Sequence, residues 1–294
     1  MKIAIYGQSV DKVSKNIFLE LLNISKSENI LLLIEEKYNS VLLKKAKIDH
    51  NHQVFSTHNE LDSTVDLMIT IGGDGTLLRS ITFVRDLGIP IIGINTGRLG
   101  FLATLNQELL NIELKKILKG EFNIEERSLL EVSIGSNDDF SDFNFALNEV
   151  SVGRKNTTSM IEIKTTLDGE YLNTYWADGL IISTPTGSTG YSLSCGGPIM
   201  TPSSQTFSIT PIAPHNLNAR PLVISDEIII ELSVEGREKS HLLSLDSRIN
   251  SLKNNVKIKI KKADYSIKLA SFKNNSFYKT LRSKLLWGED RRNI

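Results

Sequence analysis

Asp66-Leu67-Met68-Ile69-Thr70-Ile71-Gly72-Gly73-Asp74-Gly75-Thr76-Leu77-Leu78-Arg79 begins as an apolar, branched run and breaks into Gly-Gly-Asp-Gly. The run reads as a buried strand. The three glycines remove every Cβ and permit positive φ. Thr76 predicts the cap of a helix starting at Leu77. A loop of bare amides at a strand end and a helix N-terminus favours anions, because unpaired N–H groups and the helix dipole both point at it. Asp74 sits in the middle of that loop. Phosphate repels a carboxylate, so Asp74 suits the acceptance of a hydroxyl proton or the handling of a metal ion. A tight, empty turn with Asp74 as turn former is the other reading of the same residues.

Outward from this stretch, strands and helices alternate. Lys2 to Tyr6 reads as a strand, Asp11 to Ser25 as a helix, Ile30 to Ile34 as a strand and Val41 to Ala46 as a short helix. Val65 to Ile71 and Gly88 to Ile94 are strands on either side of the helix that follows the glycine loop. This alternation indicates a parallel sheet covered on both faces. Ligands of such sheets bind beyond the C-terminal strand ends, where the glycine loop and Asn95 to Phe101 both fall. One more helix is expected from Gln107 to Lys119.

From Phe122 the texture changes to successive strand-like segments, with Asp168-Gly169 as the strongest hairpin signal. That series extends through Ser266 to Ala270, and Ser276 to Leu286 is helical again, ending at Trp287-Gly288. The expected architecture is an α/β N-terminal domain with a Rossmann-like parallel sheet, plus an all-β sandwich. The α/β domain takes residues 1–100 with 275–294, and the sandwich residues 101–274.

Composition narrows the function class. The chain of 294 residues is 40% hydrophobic and 23% charged, and its 34 basic and 34 acidic residues cancel. Zero net charge argues against a coat for nucleic acid or an anionic membrane. Lys257, Lys259 and Lys261 alternate along one strand face and point to water; Arg154 to Thr158 and Arg291-Arg292 read as a solvated turn and a frayed tail. The single Cys195 excludes an intrachain disulfide. No apolar run reaches transmembrane length. The first residues lack a signal peptide's pattern, and the expected compartment is the cytoplasm.

A second unusual stretch is Ile182-Ser183-Thr184-Pro185-Thr186-Gly187-Ser188-Thr189-Gly190-Tyr191-Ser192-Leu193-Ser194-Cys195-Gly196-Gly197-Pro198. Its hydroxyls donate and accept, which suits a ribose, an amide or a phosphate. Tyr191 adds a flat face for a heteroaromatic ring, and a helix is expected to open at Thr189. Asn148-Glu149 interrupts an apolar strand run, which is costly unless both find partners. Such a pair can read a polar ligand, the amide facing a base or carboxamide and the carboxylate a diol. Asp178 is similar.

Together these pieces resemble the NAD kinase family, whose signature is a GGDGT loop, an Asn-Glu pair and a TPTGST-x-Y-SLS-x-GG run. They stand here at Gly72 to Thr76, Asn148-Glu149 and Thr184 to Gly197. Asn95 to Phe101 and Pro211 to Ile224 resemble further family blocks. The resemblance implies ATP-dependent phosphorylation of NAD at the 2′-hydroxyl of its adenosine ribose, giving NADP, with Mg²⁺ or another divalent cation accompanying ATP. It also implies NAD between the two domains and a homo-oligomer, dimer or tetramer.

The resemblance assigns roles residue by residue. Asp74 is the base, and the amides of Gly72, Gly73 and Gly75 hold phosphate. Asn148 and Glu149 fix the ribose diol. Thr189, Gly190, Tyr191, Ser192 and Ser194, with Asp178, line the NAD site. Arg79, about one and a half helical turns beyond Asp74, is placed to neutralise a pyrophosphate or to sit on a solvated face. No side chain is assigned as a dedicated metal ligand.

This chain departs from the family pattern at several positions. Gly190 and Cys195 replace a frequent alanine, and Trp176 a sometimes charged residue. Asp246-Ser247-Arg248 stands where many members have Asp-Gly-Gln, and Arg248 is expected to meet NAD phosphate or a neighbouring subunit. Competing readings are a lipid kinase sharing the GGDGT loop and a non-catalytic NAD sensor. The kinase reading needs the two glycine-and-hydroxyl bends to share one cleft.

Overall fold

The computed structural model describes residues 1–48, 50, 52–97, 100–105, 110–135, 143–156, 159–216, 218–272 and 276–286. The readings at Arg98-Leu99, Gln107, Thr157-Thr158, Leu217, Trp287-Gly288 and Arg291-Arg292 lie outside the described residues. Contacts divide the chain into Met1–Glu126 with Ile267–Ile294, and Arg127–Ser266.

The first unit is α/β. Its elements begin β1 (Lys2–Gly7), α1 (Lys12–Ser27), β2 (Leu31–Glu35), α2 (Glu36–Lys44), β3 (Gln53–Phe55) and β4 (Leu67–Ile71). They continue with α3 (Asp74–Val84), β5 (Ile91–Ile94), α4 (Leu110–Leu118) and β6 (Asn123–Arg127). β1 pairs in parallel with β2 and β4, and β4 with β5 in the register Ile69↔Ile92. Every residue of β4 and β5 is buried, as expected for strands with helices on both faces. α1 starts at a capping box in which the Ser14 amide donates to Asp11 at 2.7 Å and the Asp11 amide donates to Ser14 Oγ at 2.8 Å. α2 begins five residues before Val41, because the buried Glu35 carboxylate accepts the Tyr38 amide at 2.8 Å and caps it.

The second unit is built from strands. In order these are β7 (Leu130–Ile134), β8 (Phe145–Ala146), β9 (Glu149–Gly153), β10 (Ile161–Leu167), β11 (Glu170–Ala177) and β12 (Gly179–Ser183). A one-turn helix, α5 (Tyr191–Ser194), precedes β13 (Thr206–Ile212), β14 (Leu222–Ser225) and β15 (Ile230–Gly236). β16 (Ser240–Leu245), β17 (Arg248–Lys253) and β18 (Ile258–Lys262) complete it. One sheet runs β11-β10-β15-β18-β7-β8 and the other β14-β13-β12-β9-β16-β17. Val132, Ile163 and Leu232 of the first meet Val152, Ile182 and Phe207 of the second in one core, the sandwich arrangement. Asp168 and Gly169 take φ of 49° and 84° and close the β10–β11 hairpin. In β18 Ile258 and Ile260 are buried, whereas Lys261 and Lys262 pair with Glu131 and Asp226 at 3.2 and 2.8 Å. The basic run is a solvated strand face.

After β18 the chain returns to the first unit as β19 (Ile267–Ser271) and α6 (Phe277–Leu285). The first sheet has the order β3-β2-β1-β4-β5-β19-β6. The segment from Ser266 to Ala270 therefore does not extend the β series of the sandwich: Leu269 pairs in parallel with Ile91. Buried Leu114 and Ile117 of α4 and Ala270 and Phe272 join the same core as β1 and β4. This packing sets the contact boundaries at 126/127 and 266/267 rather than near 100 and 275. Among the described residues no helix is long and apolar enough to cross a membrane.

Candidate functional site

The glycine loop lies in the first unit. α3 starts at Asp74 with Gly73 as its N-cap residue, so Thr76 stands inside the helix and does not cap it. Of the three loop glycines only Gly72 needs positive φ (153°), and a Cβ there would meet Thr76 Oγ1 at 2.3 Å. The Gly72 amide already donates to the Ile94 carbonyl at 3.0 Å. The amides left for an anion are those of Gly73, Asp74 and Gly75, since the first N–H groups of a helix have no intrahelical acceptor. A Cβ on Gly73 or Gly75 would meet nothing within 4 Å, so the loop opens on free space.

Asp74 is held by the segment after β5. Oδ2 accepts the Phe101 amide at 2.8 Å, and Oδ1 those of Leu102 and Ala103 at 3.1 and 2.9 Å. Gly100 is required there, because a Cβ would lie 1.8 Å from Asp74 Oδ1. Asn95 Oδ1 accepts the Gly97 amide at 2.6 Å and turns that segment. Arg79 is anchored on the end of β1: the Gln8 side-chain oxygen, in the orientation that satisfies both groups, accepts its Nε and Nη1 at 3.0 and 3.2 Å.

In the second unit the bend between β8 and β9 presents Asn148 and Glu149. Asn148 Oδ1 and Glu149 Oε2 are buried and have no hydrogen-bond partner. Both side chains converge on Gly190, whose would-be Cβ lies 3.3 Å from Glu149 Oε2 and 3.5 Å from Asn148 Nδ2. Burial first, and then the neighbouring charge of Asp246, raise the Glu149 carboxyl to about 8, against a backbone hydrogen bond from Tyr191. A cavity of about 410 Å³ is lined by Glu149, Asp178 and Tyr191, with Arg154, Ile212 and Asp246. Arg154 Nη2 pairs with Asp178 Oδ2 at 2.9 Å.

The hydroxyl-rich stretch mostly builds this bend rather than lining the cavity. Thr184 Oγ1 donates to the Leu147 carbonyl at 2.6 Å, and the Thr184 amide to Asn148 O at 2.9 Å. Gly187 packs against Asn148 so closely that a Cβ would sit 2.0 Å from its carbonyl oxygen. Instead of a helix opening at Thr189, a 3-10 turn (Gly187–Thr189) leads into the single turn of α5. Thr189 Oγ1 donates to Thr186 O at 3.3 Å. Ser192 is buried and bonds Thr210 at 3.0 Å, while Ser194 is exposed. Burial raises the Cys195 thiol, which fits a packing role. Trp176 is exposed and meets His215 edge to face at 5.4 Å.

Two acidic residues perform the same service in the two units. Asp246, in the left-handed region at φ 52°, ends β16. Its buried carboxylate accepts the amides of Leu147, Asn148 and Glu149 at 3.0, 2.8 and 3.2 Å. Burial raises that carboxyl, opposed by Arg248 and by the three amides. Arg248 does not reach into the cavity: Nη1 donates to Phe143 O at 3.0 Å, Nε to Leu245 O at 3.2 Å and Nη2 to Phe145 O. Its guanidinium lies 5.1 Å from the Phe145 ring centre. Sequence reasoning marked Asp246 only as part of a family block and assigned no role to Arg154 or Gly100. Nothing in the order of residues tells which distant amides a carboxylate will face.

Comparison with known proteins gives one answer. Residues 13–122 match the family model of the ATP-NAD kinase N-terminal domain, and residues 147–272 that of the ATP-NAD kinase C-terminal domain. The chain is 53% identical over 294 residues to an NAD kinase of Flavobacterium psychrophilum, covering 100% of both chains. To one of Bacteroides fragilis it is 39% identical over 292 residues, covering 99% and 100%. Among solved structures it resembles an NAD kinase from Archaeoglobus fulgidus in complex with ATP, with a TM-score of 0.74, 27% identity and coverage of 97% and 99%. A yeast NADH kinase complexed with NADH shares the fold, with a TM-score of 0.87 at 20% identity and coverage of 100% and 89%.

Proposed function

The chain belongs to the NAD kinase family and is a phosphotransferase acting on NAD, and from that premise we propose that it moves the γ-phosphoryl group of ATP to the 2′-hydroxyl of the adenosine ribose, giving NADP. The observation that carries this reading is the pair of buried, partnerless acceptors Asn148 Oδ1 and Glu149 Oε2. Buried acceptors without donors are costly, and a vicinal diol offers two hydroxyl donors. Tyr191 supplies a ring face on the same cavity. The lipid-kinase and sensor readings give way to a family match that spans both parts of the chain.

The free amides of Gly73, Asp74 and Gly75 hold the donor's phosphates. Asp74 takes the proton from the acceptor hydroxyl. Its three amide donors fix the carboxylate, and Oδ2, which accepts only one of them, keeps a lone pair for that hydroxyl. Among the described residues no group of three or more acidic, His or Cys side chains could cage a metal. Asp74, beside the open amide loop, would hold a divalent cation carried by the triphosphate, which needs only one or two protein carboxylates. Bound there, such a cation supplies neutralisation of charge on the transferring phosphoryl group. The protein works in the cytoplasm as a homo-oligomer, dimer or tetramer; the exposed Leu222, Val223 and Ile249 on outer strands β14 and β17 support association.

Purified protein incubated with NAD, ATP and Mg²⁺ is expected to accumulate NADP, read by an NADP-specific dehydrogenase. Asp74→Asn should lose most of the turnover while NAD binding, measured by calorimetry, stays within about 3-fold. It should also lower stability by about 1–2 kcal/mol, since its amide nitrogen would face a backbone donor. A variant with near wild-type turnover would remove Asp74 from the chemistry.

A further inference from the structure

The bend that carries Asn148 and Glu149 lies between two short strands, β8 and β9, and has no ladder partners of its own at Leu147 and Asn148. Thr184 holds the carbonyls of Leu147 and Asn148, but their amides need a partner too, since a diol needs two acceptors fixed to within a fraction of an ångström. The turn between β16 and β17 supplies the restraint. β16 pairs with β9 in the register Leu245↔Val150. One residue on, the left-handed Asp246 turns the chain, donates its amide to Glu149 O at 2.9 Å and sends its carboxylate onto three successive amides. Arg248 grips the carbonyls of Phe143 and Phe145 on the approach to the bend. The carboxylate thus serves N–H groups and the guanidinium serves C=O groups of one segment, and the two lie 3.6 Å apart as an ion pair.

We propose that Asp246 and Arg248 are positioning residues for NAD phosphorylation: the turn they occupy holds Asn148 and Glu149 in the geometry that receives the ribose diol. The proposal rests on the reading of that pair as the diol site. Asp246 borders the cavity, but the partners of its carboxylate are the three amides and Arg248. It therefore acts through Glu149, by placement and by charge. The other charged or titratable groups facing Glu149 are the Asp178–Arg154 pair and Tyr191, which line the same cavity. Removing the charge of Asp246 takes away a like charge, so Glu149 should ionise at lower pH. The diol needs the ionised acceptor, so activity on NAD climbs as Glu149 loses its proton.

The test measures KM for NAD and for ATP separately, with the pH profile of kcat/KM for NAD, in the full-length enzyme. Asp246→Asn should raise KM for NAD by about 10- to 100-fold, the range a 1 Å misplacement produces, and leave KM for ATP within about 2-fold. Its acid limb should move to lower pH. On a Glu149→Gln background, Asp246→Asn should add less than about 2-fold, because the two act as one unit. Asp246→Asn sets an amide against amide donors and its folding is at risk, so Arg248→Gln carries the test independently. It should raise KM for NAD by about 10-fold, with Arg248→Lys in between. Equal rises in both KM values, an unmoved acid limb or additive effects would overturn the positioning role. Glu149→Gln with an unchanged KM for NAD would instead overturn the diol reading itself.

Discussion

Glu149 shows what a single residue can and cannot announce. A carboxylate inside an apolar run is legible as an anomaly that wants a partner. Its consequence for stability comes from its surroundings. The fold favours the neutral form, because burial and then Asp246 raise this carboxyl from 4.5 to about 8. Stability from this group is complete below the ordinary carboxylate range and is lost as pH rises to about 8. Glu149→Gln removes the titration. Relative to wild type the variant should gain unfolding free energy, read by denaturant melts, steadily from about pH 5 to about pH 8, by up to a few kcal/mol at about 1.4 kcal/mol per unit. A gap that stays constant over that range would show that Glu149 titrates as an ordinary acid. Gly190 is the residue-scale counterpart: the side chains of Asn148 and Glu149 converge beside it, and that convergence is invisible in sequence.

At the scale of elements, β4, the glycine loop and α3 form one device. The strand delivers the loop at its C-terminal end, in the middle of the sheet, and the helix start leaves amides unpaired. Gly75 is the second residue of α3, with open space where a Cβ would go. For the fold alone alanine is the better residue, by up to about 1 kcal/mol. Gly75→Ala should therefore leave thermal stability equal or higher while raising KM for ATP by about 10-fold or more, measured by calorimetric melting and initial rates. Unchanged kinetics would mean that the open space serves no ligand. The position of this device was readable because glycine and apolar runs are local signals. Its helix start was not, since Thr76 and Gly73 are both acceptable caps by residue type and the packing of Thr76 on Gly72 chose between them. The start of α2 was hidden for a like reason, its cap being a buried glutamate.

For the whole molecule the decisive fact is that the first sheet is closed by the last strand. β19 lies between β5 and β6, so the N-terminal unit is unfinished until the final residues arrive. A chain ending at Ser266 keeps every residue of the glycine loop and of the sandwich. It should nonetheless lose the first unit's cooperative melting transition, because β5 and β6 would lack their common neighbour and Ala270 and Phe272 would leave the core. The sandwich, with its own buried core, should retain its transition. A truncated chain with both transitions intact would contradict this account. Periodicity and turn chemistry by themselves determined the alternating first part, the β-rich second part and the hairpin at Asp168-Gly169, while the family was legible as a resemblance carried by three motifs in order. Only the tertiary structure decided that Ile267 to Ser271 belongs to the first sheet, that Arg248 faces backbone carbonyls, and that Asp74 and Asp246 each hold three remote amides. Strand pairing and carboxylate partners join residues far apart in the chain, and local propensity carries no information on which distant groups will meet.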